Sequence, residues 1–198
     1  MPKTVEFWFE FASTYSYLAA EHIGDRARQA GVEVAWRPFL LGPIFAAQGW
    51  RDSPFNIYPA KGRYMWRDME RLCAQFGLPF RKPSAFPRQG LTAARLTLVG
   101  LAEGWGPAFT QAVYRANFAE DLDIGNAEVL SSILADLGVQ AGAAMDKATS
   151  PTIKESLKAQ TERAMALGVF GAPSFIVGQE LFWGHDRLDH ALAWAQTH

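Results

Sequence analysis

A single cysteine, Cys73, in 198 residues rules out an internal disulfide and any cysteine-based zinc site. The four histidines offer no metal pair on one helix face, since His185 and His190 stand five positions apart, and no metal is expected. Charge of one sign is not in surplus either. The formal net charge is −1, so neither a nucleic acid nor an anionic membrane is indicated as a partner. Arg63, Arg67 and Arg71 come nearest to a basic cluster, and their helical spacing reads as a solvated face. No apolar run approaches the length of a membrane span. The first such run is broken by Glu6 and Glu10 and reads as a strand, not as a secretory leader. The expected location is therefore cytoplasmic, in the reducing cytosol, which counts against a disulfide-forming enzyme of the periplasm. Repeats and low-complexity tracts are also lacking.

What the chain does have is apolar material, 49% of its residues against 20% charged. That suffices for one unit, or a domain with an insertion, around a substantial core. Val5, Phe7, Phe9 and Phe11 alternate with Glu6, Trp8 and Glu10 at the period of a β-strand. From Ser16 the period changes, and Tyr17, Leu18, Ala20, His22, Ile23, Ala27 and Ala30 fit one side of a helix that Gly31 stops. Residues 32–38 read as a second strand and 174–177 as the next. Most of what lies between has helical period, with helices expected around 61–76, 91–103, 107–118, 126–137, 141–148 and 153–167. Gly77, Gly104, Gly138 and Gly168 are natural stops. In the first of these helices Met65, Met69, Leu72, Cys73 and Phe76 form an apolar stripe, so Cys73 reads as a small core residue. Residues 40–59, rich in turn residues and aromatics, read either as a binding-site wall or as a packed hydrophobic linker.

Three short motifs carry chemistry. Ser13 falls at the strand-to-helix turn, three positions before Ser16. The unpaired amides and the dipole of a helix start favour a negative charge there. A serine hydroxyl cannot exchange disulfides, but it can donate a hydrogen bond to a thiolate brought by a ligand; it is equally suited to plain helix capping. In VFGAPSFIVG, residues 169–178, Ala172-Pro173 directly precedes an apolar strand, where proline is unwelcome. A cis peptide would explain it, since X-Pro bonds alone adopt cis at low cost; a trans turn after Gly171 is the alternative. In WGHDRLDHAL, residues 183–192, Gly184 ends a strand and Asp186 opens a helix. Asp186 is either its N-cap or, with the helix-start amides, a receiver for the charged end of a ligand.

In this order the motifs resemble the glutathione-dependent branch of the thioredoxin-like superfamily, the kappa-class glutathione transferases and the bacterial 2-hydroxychromene-2-carboxylate isomerases. The likeness runs the length of the chain. Phe9, Phe11, Ser13, Tyr15, Ser16 and Tyr17 match its opening strand and turn, and Pro59, Lys61, Gly62, Tyr64 and Asp68 match a P-x-K-G-x-Y-x-x-x-D block. The VFGAP strand and WGHDRL helix start close it. The resemblance implies an α/β fold of the DsbA and kappa type: a thioredoxin-like, glutathione-binding domain made of residues 1–55 and 168–198, and a large all-helical insertion, residues 56–167. Ser13 and Ser16 then stand where redox relatives carry Cys-x-x-Cys. Carried over residue by residue, it implies Ser13 as the catalytic contact of the glutathione sulfur, and Ala172, before a cis Pro173, as the backbone partner of the cysteinyl part. Lys61 would hold glutathione near its glycine end, Asn56, just before Pro59, matches the family's glutathione-binding asparagine, and His185 and Asp186 would receive the γ-glutamyl end. Two positions depart from the pattern, Thr14 where proline is frequent and His185 where serine or asparagine is.

The implied reaction interconverts 2-hydroxychromene-2-carboxylate and trans-o-hydroxybenzylidenepyruvate, or a related intermediate of aromatic catabolism, by reversible thiolate addition, rotation and elimination. Lowering a thiol from about 8.5 by roughly two units for this purpose takes about 2.7 kcal/mol, the order of one charge-assisted hydrogen bond plus a helix N-terminus. Tyr15, Tyr64 and Trp66 are candidate contacts of the aromatic ring, and Arg67 or Arg88 of the carboxylate. The resemblance also implies a homodimer. Two other readings remain: a kappa-type transferase or peroxidase that consumes an electrophile at the same site, and a non-catalytic thioredoxin-like module that docks peptides or thiols. The isomerase ranks first, on closer agreement over the P-x-K-G block and the C-terminal helix.

Overall fold

The computed structural model of the chain describes residues 3 to 198. Strand β1 (Thr4–Phe9) leads through a tight turn into helix α1 (Thr14–Ala30), and β2 (Glu33–Pro38) returns alongside β1 in parallel. Far along the chain, β3 (Ser174–Val177) pairs antiparallel with β1, and β4 (Glu180–Trp183) pairs antiparallel with β3. The sheet order is β2-β1-β3-β4. A 3-10 turn, His185–Arg187, then opens the last helix, α10 (Leu188–Thr197). The α/β, thioredoxin-like framework is thus present, with its two halves separated by more than a hundred residues of helix and loop.

Those residues form α2 (Leu41–Ala47), α3 (Pro54–Ile57), α4 (Pro59–Phe76), α5 (Leu91–Glu103), α6 (Gly106–Phe118), α7 (Ala127–Asp136), α8 (Ala141–Thr149) and α9 (Pro151–Ala166). The four expected glycine stops all take the left-handed conformation, with φ of 66°, 88°, 74° and 75° in chain order. Helices α2 and α3, which periodicity did not indicate, occupy the segment expected to be loop.

Alternation along β1 holds only in part. Val5, Phe7 and Phe9 join the main core, where Phe7 meets Trp36 and Phe175 at ring separations of 5.2 and 5.5 Å. Trp8, assigned by pattern to the polar side, is fully buried in a second cluster with Phe39, Ile44, Ala164, Val169 and Ile176. Both faces of β1 are therefore covered, each by its own cluster. Helix α9 helps cover the second face. Ala164 belongs to that cluster, Gln160 Nε2 donates to Pro38 O and Thr161 Oγ1 accepts from Leu40 N–H. So α9, although inside residues 56–167, packs on the sheet. The helices also close over the β1–α1 turn: Tyr114 Oη donates to Glu10 O at 2.9 Å, Asn117 Nδ2 to Phe11 O at 3.1 Å, and Tyr17 Oη to Pro79 O at 2.8 Å. Cys73 is buried as expected, and burial pushes its thiol up to about 12, so it is unreactive at neutral pH. Among the described residues no helix is long and apolar enough to cross a membrane.

Candidate active site

The turn after β1 and the turn before β3 meet across the sheet. Ser13 is the N-cap of α1, with φ −75° and ψ 115°, and its Oγ accepts weakly from Ser16 N–H at 3.4 Å. The same Oγ donates to Ala172 O at 2.9 Å, over a sequence separation of 159 residues. The Ala172-Pro173 peptide is cis, as its place before an apolar strand suggested. Gly184 N–H donates to Pro173 O at 2.9 Å and so ties the start of the C-terminal turn to the same point. The two readings of Ser13, cap and ligand contact, are compatible in one geometry. The second serine differs: Ser16 is fully buried and Ser13 alone of the pair lines the cleft.

Above these turns opens a cleft of about 1700 Å³. Ser13, Lys61, Ala172, His185 and Asp186 all line it, on elements far apart in sequence. Pro173 lies immediately behind Ala172 and holds the turn. Asn56 is not part of the lining. It is exposed, its amide donates to both oxygens of Asp52 at 3.1 Å and to Phe86 O at 3.3 Å, and its neighbour Phe55 faces the cleft instead.

His185 stacks on Tyr15, with centroids 5.4 Å apart and planes 8° from parallel. Burial lowers its pKa against the opposing pull of Asp186 and Asp68, which keeps the ring neutral at pH 7. Tyr15 Oη donates to Asp68 Oδ2 at 3.0 Å, and burial, with that carboxylate, raises the phenol above its ordinary value. Asp186 is exposed beside Arg187 at 3.4 Å. It folds back over Gly184, where φ is 109° and a Cβ would stand 2.5 Å from Asp186 Oδ1; only glycine permits that approach. Lys61, in the first turn of α4, lies over the Tyr58 ring at 4.9 Å and has no ion-pair partner among the described residues.

Of the candidate substrate contacts, Tyr15 and Tyr64 line the cleft, whereas Trp66 packs against Phe80 and Phe86, and Arg67 pairs with Glu70 at the surface. Arg88 borders the cleft, but its guanidinium is committed to Asp121, Asn117 and the Leu122 carbonyl. That pairing, after the Ser84 amide, holds the Asp121 carboxyl near 2. Three features escaped sequence reasoning. Phe86-Pro87, a second cis peptide, borders the cleft. Phe170 and Trp183 form an exposed aromatic pair, 4.9 Å apart, at its rim. Glu10 lies in the lining beside Ser13. The signals available for them were a lone Phe-Pro in a loop, two aromatics flanking recognised motifs, and an acid between the first strand and Ser13.

Comparison with known proteins agrees with this geometry. The model of the DSBA-like thioredoxin domain family matches residues 4–193. A 2-hydroxychromene-2-carboxylate isomerase of Sphingobium xenophagum is 32% identical over 96% of both chains. The human glutathione S-transferase kappa 1 is 27% identical over 96% of this chain and 89% of its own. A solved 2-hydroxychromene-2-carboxylate isomerase superposes with a TM-score of 0.86 at 25% identity, covering 96% of this chain and 93% of that one. By these matches this chain belongs to the DsbA-like thioredoxin domain family, in the branch that holds the 2-hydroxychromene-2-carboxylate isomerases and the kappa glutathione S-transferases.

Proposed function

We propose that the protein is a cytoplasmic, homodimeric, glutathione-dependent isomerase that interconverts 2-hydroxychromene-2-carboxylate and its trans open-chain isomer, or a closely related aromatic carboxylate. The observation that carries the reading is the Ser13 Oγ to Ala172 O hydrogen bond at a cis-proline turn, in the lining of a cleft that Lys61 and Asp186 also line. The residues present fit glutathione. Thr14 Oγ1 is buried beside the cleft with no hydrogen-bond partner, an arrangement that costs about 1–3 kcal/mol unless a ligand supplies one. Lys61 suits the glycine carboxylate, and Asp186 suits the α-amino group of the γ-glutamyl end.

When bound, glutathione would supply a thiolate that adds reversibly to a conjugated system, leaving a single bond about which the substrate can turn. The protein's part begins with a change of partner at Ser13. Its hydroxyl turns from Ala172 O to the sulfur, adding a charge-assisted bond at the N-terminus of α1, where the amides already favour an anion. Ala172 O is thereby released to accept a backbone amide of the ligand, in the manner of an added strand. Neutral His185 and Tyr15 form an aromatic face at the other end of the same turn, and the walls of the cleft limit access of water to the sulfur. The relatives named as isomerases support this reading over that of a transferase consuming an electrophile. The test is the initial rate of 2-hydroxychromene-2-carboxylate isomerisation with and without reduced glutathione. A fast rate that requires glutathione is expected; no rate with either would move the assignment to transferase chemistry at the same site.

A further inference from the structure

Glu10 is a carboxyl group in the cleft wall for which the reaction above assigns no task. It follows β1 directly, and its carboxyl folds back to the amides of the turn that presents Ser13. Its Oε2 accepts Ala12 N–H at 2.9 Å, the Ser13 amide also faces its carboxyl, and its own carbonyl accepts from Ser13 N–H at 3.0 Å and Tyr114 Oη at 2.9 Å. The loop entering α5 presses on it: a Cβ at Gly90 would stand 3.2 Å from Glu10 Oε1 and 2.9 Å from Phe11 Cβ. No cation offsets it. Among the described residues it forms no ion pair, and Arg88 of the same lining is spent on Asp121. Tyr114 from α6 is the ionisable side chain that faces it, as a neutral phenol raised well above its ordinary range by burial. Burial likewise raises the Glu10 carboxyl from about 4.5 to about 7, against the smaller opposing effect of the Ala12 and Ser13 amides.

From this placement we infer that Glu10 is the proton acceptor for the thiol held at Ser13 and returns the proton when the sulfur leaves. This rests on the glutathione reading. In the step, Glu10 takes the proton as the S–H bond breaks, the electron pair stays on sulfur, and the carboxylate becomes a neutral acid. Charge in the cleft is conserved. The anion moves from a poorly solvated carboxyl to the helix N-terminus beside Ser13, and in the reverse step Glu10 gives the proton back. With an acceptor near 7 and a thiol near 8.5, the transfer is uphill by roughly 30-fold before Ser13 and α1 contribute; an ordinary carboxyl would make it roughly 10,000-fold. The first gap is within reach of one charge-assisted hydrogen bond, and the second is not.

The test is a proton inventory that does not depend on turnover. Reduced glutathione is bound to the unaltered protein and to E10Q, thiolate is read from its ultraviolet absorbance, and proton release is read by calorimetry in buffers of different ionisation enthalpy. For the unaltered protein between about pH 7 and 8, thiolate is expected to form with well under one proton released, rising toward one below that range, where Glu10 is already protonated. In E10Q the thiolate fraction should hold or rise, because no neighbouring carboxylate competes with the sulfur for negative charge, and one proton should be released per thiolate at every pH. A ratio of one in the unaltered protein across the whole range overturns the inference, and that measurement holds even if E10Q does not fold. Failure of the unaltered protein to bind glutathione would instead overturn the glutathione reading, and this inference with it.

Discussion

The two sides of the cleft are built differently. On the sheet side, Thr14 and Ser174 are buried, and every turn is held from a distance: Ser13 by Ala172, Glu10 by Tyr114, Pro173 by Gly184. On the helical side, α3 buries none of its residues and α2 only Ile44. Most contacts of α2, α3 and the start of α4 are local, Phe45 with Trp50 at 5.5 Å, Asn56 with Asp52, Lys61 with Tyr58, and the longer reach of Asn56 to Phe86 O is made at an exposed site. A wall fixed by long-range hydrogen bonds can hold one reacting atom within the tolerance that chemistry demands. A wall of short helices and exposed aromatics can adapt to the body of a ligand but cannot hold an atom so closely. The difference suggests a division of labour, in which the sheet side sets the rate and the helical side sets affinity.

The largest effect should come from removing the Ser13 hydroxyl from the fixed wall. Ser13→Ala deletes the hydroxyl that would face the thiolate, and kcat should fall by two to three decades, the usual effect of losing a transition-state hydrogen-bond donor. Stability should fall by only about 1 kcal/mol, the loss of an N-cap. Steady-state rates and denaturant melts measure the two separately. A loss of stability with an unchanged rate would make Ser13 a cap alone and erase the functional contrast between the walls.

Next comes the pH dependence of folding. Below about pH 4.5 the Glu10 carboxyl is protonated in both folded and unfolded chains, and above about 7 it is ionised in both. Between those values the folded state binds a proton that the unfolded state has lost, so stability falls as pH rises through the window. Glu10 accounts for a loss of roughly 3 kcal/mol across it. Chemical denaturation at pH 5 and 8 should show this slope in the unaltered protein, and E10Q should flatten it.

The helical wall is tested by Gly62→Ala. A methyl there would overlap the carbonyl of Phe55, so α3 must move away from α4 at a cost of about 1–3 kcal/mol. Hydrogen exchange should quicken in residues 41–58, leaving the amides of the β1–α1 turn as protected as before. Equal loosening on both sides would show that the walls are mechanically one.

The same contrast explains what could be read from the sequence. The α5 bounds, 91–103, follow from an apolar period and a glycine stop, both local signals. Ser13 and Ala172 were legible because each sits in a short motif with its own local logic, a helix cap and a proline before a strand. Helices α2 and α3, with seven and four residues, are too short for a period to declare itself and exist because neighbours press on them. Trp8 broke the alternation because coverage of the second face comes from α9, over 140 residues away, and alternation along one strand cannot reveal that. Glu10 was hidden for the same reason. By pattern it is an outward residue of a strand, and its environment is made by Gly90 and by Tyr114, 104 positions on. Arg88 misled in the opposite sense, since a basic residue near a cleft looks like a ligand contact until its partner Asp121 is seen.

The smallest expected effect belongs to Lys61. A cation in the first turn of α4 sits at the positive end of the helix dipole, so the helix gains nothing from its charge. Its stacking on Tyr58 at an exposed site contributes about 0.5–1 kcal/mol at most. Under the proposed function the partner of this unpaired charge is a ligand carboxylate. Lys61→Ala should therefore leave folding almost unaltered and raise KM for glutathione by about tenfold, with kcat unchanged, because the interaction lies far from the reacting sulfur and is the same in ground and transition states. Added salt should weaken glutathione binding to the unaltered protein more than to the variant, since the pair is solvent-exposed, and Lys61→Arg should recover most of the affinity. A fall in kcat at constant KM would mean that the adaptable wall also helps to set the reacting geometry, and the division between the two sides of the cleft would have to be given up.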